Sequence, residues 1–282
     1  MADTIPIFVF SAQDSPYQWW QTEALWESFR HVRQCGRLMG LISGSPYETE
    51  GRGYSCPVEH VPDRSVVAGD HYPPYNKPAA LLHWLSRADI GQTPLVLLDP
   101  DCLFHRPLEA RPLPGQPCAQ WVAYMNPSVA EGRRLVERYC RRNRHLVRPV
   151  GIPLAIWSSD LLAILPRWWS LLTQMRAESL AEGNPSWITE MWALNIAMAE
   201  FGLDCLVHDE FCQFVVEDED RRPITHYCHP IQCGGVTWDK WSYKAWTEPP
   251  REVPGMNLSS RLLLRELRRI AQLRGFERIS TD

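Results

Sequence analysis

Residues 94–104 read PLVLLDPDCLF. The apolar run at 94–98 is the pattern of a short buried strand, and Asp99 stands at its end. Asp99 and Asp101 then project from a turn, one residue apart. A hard divalent cation such as Mn²⁺ or Mg²⁺ takes oxygen ligands and keeps open positions for phosphate oxygens. When a diphosphate leaves, its negative charge must be neutralised, and such an ion does that as a Lewis acid. A pair of alternate aspartates can place one carboxylate on the ion and the other on the ion, a ribose or a bound water. D-x-D in a loop is common, and a solvated turn with a helix-capping Asp is the plain alternative. Its position directly after a hydrophobic strand gives the motif weight.

The residues before the motif fix its setting. IPIFVF at 5–10 reads as a strand, and residues 17–30 as a helix after the Ser15-Pro16 start signal. Residues 38–43 read as a second strand and 77–87 as a second helix, with Pro78 in its first turn. Strand, helix, strand, helix, strand predicts an α/β fold with a mixed, mainly parallel sheet flanked by helices. In such sheets ligands bind beyond the carboxyl ends of the strands. Ser11 and Asp99 fall at such ends in this reading.

Downstream, 121–126 reads as a strand, 129–141 as a helix, and 153–156 as a strand leading into a helix that starts at Ser158. Pro166 should break or kink that helix. Asn184-Pro185-Ser186 should cap a helix over 187–201, and 204–208 reads as a short strand. The Pro- and Gly-rich segment 222–254 should wrap the site as loops. The last helix, 258–274, carries Leu262, Leu263, Leu267 and Ile270 on one side, with Arg261, Arg265, Arg268 and Arg269 around them. The expectation is one domain over 1–282. Its nucleotide-binding half is 1–110, its sugar and acceptor half with closing loops is 111–254, and its amphipathic tail is 255–282.

Of the 282 residues, 45% are hydrophobic and 22% charged, with a net charge of −4, which excludes a disordered chain and does not advertise a nucleic-acid partner. A local basic face from 133–148 and 258–274 stays open. The thirteen tryptophans read mostly as core. The nine cysteines include no C-x-x-C pair, and Cys228, Cys233, His226 and His229 lack the second ligand pair of a zinc site. The first residues, MADTIPIFVFSAQD, show neither a basic n-region nor a long apolar stretch, and no apolar run reaches bilayer length. A cytoplasmic location with reduced thiols and no membrane contact is expected.

Four further segments carry candidate chemistry. YPPYNKPAALLHWL at 72–85 puts Lys77 at a helix start, in reach of phosphates, and Asn76 where it can bond a sugar or base, or simply cap the helix. ITHYCHPI at 224–231 offers an imidazole as a further metal ligand, and WDKWSYKAW at 238–246 offers Lys240 or Lys244 as a phosphate-binding charge. NPSWITEMW at 184–192 places Glu190 in the first turn of a helix, where complementing the helix dipole is its plain role.

Taken in order with YQWWQTEALWESF, GIPLAI and SSDLL, these motifs resemble the peptidyl serine α-galactosyltransferase and hydroxyproline O-arabinosyltransferase group, from about residue 8 to residue 246. The resemblance implies a GT-A fold, a UDP-sugar donor, dependence on Mn²⁺ (or Mg²⁺) and retention of anomeric configuration. It implies Asp99, Asp101 and His226 as metal ligands, with His229 as the alternative imidazole. Ser11, Asn76, Lys77, Asp99 and Lys240 are the expected donor-binding residues, and Asp99, Asp101 and Glu190 the catalytic ones. Glu190 would either act on the reacting sugar or hold it. The expected function is transfer of a hexose or pentose to a hydroxyl acceptor, foremost on a protein or peptide. The alternatives are a transferase acting on hydroxymethylated bases in DNA and a non-catalytic nucleotide-sugar binder. The resembling proteins are secretory, with a signal or membrane anchor, so a cytoplasmic chain implies a different acceptor.

Overall fold

A computed structural model describes residues 5–44, 53–214 and 222–274. In chain order its elements are β1 (Ile7–Gln13), α1 (Pro16–His31), β2 (Arg37–Ser43), β3 (Val58–Val61), β4 (Val66–Val67), β5 (Asp70–His71), α2 (Asn76–Leu85), β6 (Pro94–Leu98), β7 (Cys102–Phe104), β8 (Cys118–Trp121), α3 (Ala130–Tyr139), β9 (Val150–Trp157), α4 (Ser158–Ala181), α5 (Thr189–Glu200), β10 (Leu206–His208), β11 (Cys212–Phe214), β12 (Ile224–His226), β13 (Ile231–Cys233), β14 (Val236–Trp238) and α6 (Leu258–Arg274).

Seven strands form the main sheet, in the order β10-β8-β9-β6-β1-β2-β3. β6 lies near its middle, and all five of its residues are buried, as the unbroken apolar run requires. β1 runs parallel to β2 and β6, β2 parallel to β3, and β8 parallel to β10, while β9 runs antiparallel to β6 and β8. The sheet is therefore mixed and mainly parallel. One core joins α2, α4 and α5 to the sheet through Leu81, Trp84, Trp168 and Ile196, and α1 packs on other strand residues through Leu25 and Phe29. β2 lies on one side of β1 and β6 on the other, so the connections diverge between β1 and β6. Such a switch point leaves a crevice at the carboxyl ends of the strands.

Local signals explain several boundaries. Ser15 caps α1 by accepting the Gln18 N–H at 3.3 Å, and Pro16 occupies the first turn. β1 continues to Gln13, past the end expected at residue 10, because β2 pairs with it as far as Ser43. Ser11 is thus inside a strand; the register Phe10↔Leu98 sets it level with Asp99.

Elsewhere the structure corrects the sequence reading. The strand expected at 121–126 lies earlier, as β8, and Ala123–Met125 is a single 3₁₀ turn. Val122 and Met125, both buried, are three apart, the period of such a turn rather than of a strand. α4 runs through Pro166 without a break. Pro166 and Leu162 face solvent, so the carbonyl freed by the missing N–H can be hydrated. α5 begins at Thr189 with no side-chain cap from Asn184 or Ser186; the Tyr72 hydroxyl accepts the first-turn Glu190 N–H, while the Ser186 carbonyl accepts from Arg176 and Thr189. The segment 222–254 contains three short strands as well as loops.

Part of the basic face considered for nucleic acid is paired with carboxylates. Arg265, Arg269 and Arg274 of α6 pair with Glu252, Glu266 and Glu23, and Arg138 and Arg148 pair with Glu178 and Asp204. Among the described residues, no helix is long and apolar enough to cross a membrane.

Candidate active site

The turn after β6 leads straight into β7, which pairs antiparallel with β12. The register sets His226 opposite Cys102, and the Tyr227 N–H donates to the Asp101 carbonyl at 3.0 Å. This pairing delivers His226 to the aspartates. Its Nε2 lies 3.2 Å from Asp101 Oδ1 and 3.8 Å from Asp99 Oδ2. One ligand atom from each of the three residues lies within 4.8 Å of the others. Two carboxylates and one imidazole form an oxygen-rich donor set that suits Mn²⁺ or Mg²⁺ and leaves positions for other oxygens. His229 is exposed and packs on Phe214 instead. Cys228 and Cys233 belong to no candidate metal group among the described residues.

Two lysines complete the charge pattern. Lys240 follows β14 and places Nζ 2.5 Å from Asp101 Oδ2, while Lys244 stays at the surface. Lys77, in the first turn of α2, lies 2.9 Å from Asp99 Oδ1 and 3.4 Å from Glu190 Oε2. One ammonium thereby joins the D-x-D motif to the glutamate of α5. Burial would lower the Lys77 pKa, but Asp99 and Glu190 outweigh it and raise it, so Lys77 stays charged. Burial would raise the Asp101 pKa, but His226 and Lys240 hold it below the usual carboxylate range. Burial opposes charge on His226 too, yet Asp101 and Asp99 raise its pKa. Glu190 goes the other way: burial raises its pKa, Lys77 pulls it down, Asp99 adds to the rise, and the net shift is upward.

Glu190 is held by its backbone. Its N–H donates to the Tyr72 hydroxyl at 3.2 Å and its carbonyl accepts from Trp168 Nε1 at 3.1 Å. Its Oε1 is buried without a hydrogen-bond partner among the described residues. A buried carboxylate oxygen in that state needs a donor from a ligand or water. Asn76 is different. Its Oδ1 accepts from the Arg64 N–H at 2.6 Å and its Nδ2 donates to Asp63 at 2.9 Å. Both ends of the amide hold the turn before β4, so Asn76 ties the start of α2 to that turn.

Two tyrosines were missed by the sequence reading. Tyr17, in the first turn of α1, bonds Lys240 and feels the Asp101 charge. Tyr124, in the 3₁₀ turn, bonds Met191 Sδ at 3.8 Å and lies close enough to Asp99 and Lys77 to feel their charges. Tyr17 stands in the quoted YQWWQTEALW segment, at a helix N-terminus, which was its available signal. Tyr124 had none once its segment was read as a strand.

Residues 7–207 match the sequence model of the hydroxyproline O-arabinosyltransferase family N-terminal domain. The chain belongs to this family. Lys77, Asp99, Asp101 and Glu190 lie inside the matched span, and His226 and Lys240 lie beyond it. The chain is 26% identical over 254 residues to a peptidyl serine alpha-galactosyltransferase of Arabidopsis thaliana, covering 84% of this chain but 31% of that protein. It is 25% identical over 269 residues to the hydroxyproline O-arabinosyltransferase RDN2 of Medicago truncatula, covering 86% and 72%. Among solved structures, the bifunctional glycosyltransferase WbbM in its apo form superposes with a TM-score of 0.55 at 11% identity, over 98% of this chain and 52% of that one. The chain thus spans about a third of the galactosyltransferase and about half of WbbM. The likeness to WbbM shows a glycosyltransferase fold, in line with the α/β class expected from the sequence.

Proposed function

We propose that this chain is a metal-dependent, retaining glycosyltransferase that moves a sugar from a UDP-sugar to a hydroxyl on a protein or peptide. The observation that carries the reading is the Lys77 bridge, which sets Glu190 beside Asp99 at the mouth of the β1–β6 crevice. A carboxylate set beside the phosphate-binding groups lies where the sugar of a sugar–diphosphate donor would sit, within reach of its anomeric carbon or its hydroxyls. The names of the relatives, a peptidyl serine galactosyltransferase and a hydroxyproline O-arabinosyltransferase, support a hydroxyl-bearing residue as acceptor.

In this reading Asp99, Asp101 and His226 hold the divalent ion, which when bound neutralises the charge of the departing diphosphate. Lys77 and Lys240, both kept protonated by their carboxylate partners, bind and orient the phosphates as point charges. The bond between the anomeric carbon and the phosphate oxygen breaks, and the acceptor oxygen bonds the same carbon. In a same-face route the acceptor proton passes to the released phosphate oxygen. In a double-displacement route Glu190 attacks the anomeric carbon and expels the diphosphate, and the acceptor oxygen then displaces the Glu190 carboxylate while its proton passes to the released phosphate. In the first route Glu190 Oε1 accepts a hydrogen bond from a hydroxyl of the bound sugar, which its buried state, unpartnered among the described residues, supports. Three carboxylates against two ammoniums leave the site slightly negative, and a divalent ion arriving with a diphosphate keeps that balance.

The test is UDP release from a panel of UDP-sugars, with and without Mn²⁺, followed by transfer to a Ser- or hydroxyproline-containing peptide. Metal-dependent release of UDP supports the reading. Binding without release would make the chain a nucleotide-sugar binder, and transfer to duplex DNA carrying hydroxymethylated bases would replace the acceptor class.

A further inference from the structure

At the amino edge of the main sheet, opposite the edge that carries Asp99, lies a cavity of about 570 Å³. It opens between the end of α1 and the segment after α2, over the first residues of β1 and β2. Its walls include the Trp26, Phe29, Trp84 and Ile90 side chains. Its size falls in the range of small-molecule pockets, roughly 300–1,000 Å³. Arg30, Arg33 and Arg37 stand on its rim, exposed, and among the described residues none has a carboxylate partner. Asp89, also exposed, is the acidic residue of the lining. This is unlike Arg265, Arg269 and Arg274 of α6 and Arg138 of α3, each of which has a carboxylate partner.

The end of α1 adds an independent observation. The Gln34 N–H donates to the Phe29 carbonyl at 3.2 Å and the Arg33 N–H to the Arg30 carbonyl at 3.0 Å, the paired bonds of a Schellman cap. Arg33 therefore takes the left-handed conformation, with φ of 53°. Glycine is the ordinary residue at that position, and a side chain there costs about 1–2 kcal/mol. The fold would be served better by glycine, yet the chain keeps a guanidinium there, at the cavity rim. Arg30 lies over the Trp26 ring at 5.7 Å, so a second guanidinium sits against the aromatic wall.

We propose that this cavity is a second ligand site, separate from the candidate active site, for an amphipathic anion. Its ligand would have a flat or chain-like apolar body held between the indoles and a carboxylate, sulfonate or phosphate head held by the three guanidiniums. The proposal does not depend on the glycosyltransferase reading.

The experiment uses the full chain and anilinonaphthalene sulfonate as probe, followed by its fluorescence. One equivalent should bind, with affinity that falls as salt rises. Arg33→Gly should weaken binding about fivefold while the thermal midpoint holds or rises. The triple variant R30Q/R33G/R37Q should weaken it more than about tenfold. Dodecanoate displacing the probe better than naphthoate would point to a chain-like ligand, and the reverse order to a flat one. Unchanged affinity in the triple variant would overturn the proposal. So would displacement by UDP with Mn²⁺, which would put the probe in the crevice, or by dodecanol as well as by dodecanoate.

Discussion

Two clusters of buried charge meet at Tyr72, and they are built on different plans. In one, Arg176 of α4 grips Asp70 of β5 with two hydrogen bonds, both 2.8 Å long. Tyr75 donates to the same carboxylate at 3.0 Å, Arg176 Nη1 donates to the Ser186 carbonyl at 3.1 Å, and its guanidinium lies 4.1 Å from the Tyr72 ring. That cluster is closed on itself. In the other, Asp99, Asp101 and Glu190 share Lys77, Lys240 and His226 through single contacts of 2.5–3.8 Å, and Glu190 Oε1 has no partner among the described residues. That cluster is open to more charge. The first cluster serves the second, because the Tyr72 hydroxyl receives the Glu190 N–H and donates to the Trp187 carbonyl. Fully paired charge marks the clamp; incompletely paired charge marks the place where a ligand completes the pairing.

Removing one aspartate from each cluster should separate the two plans most widely. Asp101→Ala should cost on the order of a thousandfold in rate, about 4 kcal/mol of transition-state stabilisation, and should lower the thermal midpoint less than Asp70→Ala does, because Asp99 stays beside His226 while Arg176 loses the Asp70 carboxylate. Asp70→Ala should do the reverse and destabilise the fold by about 3 kcal/mol, because it leaves Arg176 buried and unpaired. Its turnover should fall less than that of the Asp101 variant. Steady-state kinetics and urea unfolding of both proteins check this. Equal loss of stability in the two variants would erase the distinction.

A somewhat smaller effect is expected at Glu190, which belongs to the open cluster but leans on the closed one. Glu190→Gln should lower the rate about a hundredfold, some 2.7 kcal/mol, while donor affinity measured by titration stays within about threefold. Weakened donor binding with turnover kept at saturation would assign Glu190 to sugar recognition instead. No change in either would return it to dipole complementation at the α5 N-terminus.

These contrasts also explain what could be read without coordinates. β6 and its aspartates were legible because burial on both faces writes an unbroken apolar run, and α1 was legible because Ser15 and Pro16 announce it locally. Lys77 and Glu190 were legible as candidates, but not as a bridged pair. Such a bridge is a tertiary fact, as is the Arg176–Asp70 clamp, whose partners lie 106 positions apart. His226 could be nominated but not told from His229, since the choice rests on the register of β7 with β12. For Asn76 the structural alternative could not be resolved further, because its amide partners, Asp63 and Arg64, sit in a turn with no periodic signal. The break offered as one outcome at Pro166 does not occur, because the carbonyl freed there faces solvent and can be hydrated.

The smallest effect is one of sign, and it compares the clusters without any assay of activity. Arg176 hydrogen bonds lead in holding the Asp70 pKa down, burial opposes them and Tyr75 adds to them. A carboxyl whose folded pKa lies below its unfolded value, about 3.9, stabilises the fold above that value and loses this as pH falls through the folded pKa. Glu190 is shifted the other way, chiefly by burial. A carboxyl with a raised folded pKa contributes stability below its unfolded value, about 4.3, and that contribution is lost as pH rises through the folded pKa. Urea unfolding without metal, from about pH 3 to pH 7, should therefore give two opposite curves. Asp70→Asn should be less stable than the parent chain near neutrality, and the gap should narrow as pH falls below about 4. Glu190→Gln should be more stable than the parent near neutrality, because the cost of an ionised carboxylate in that site is gone, and its advantage should also shrink at acid pH. Two curves displaced in the same direction would mean that Lys77 compensates Glu190 as fully as Arg176 compensates Asp70, and the open cluster would then be closed after all.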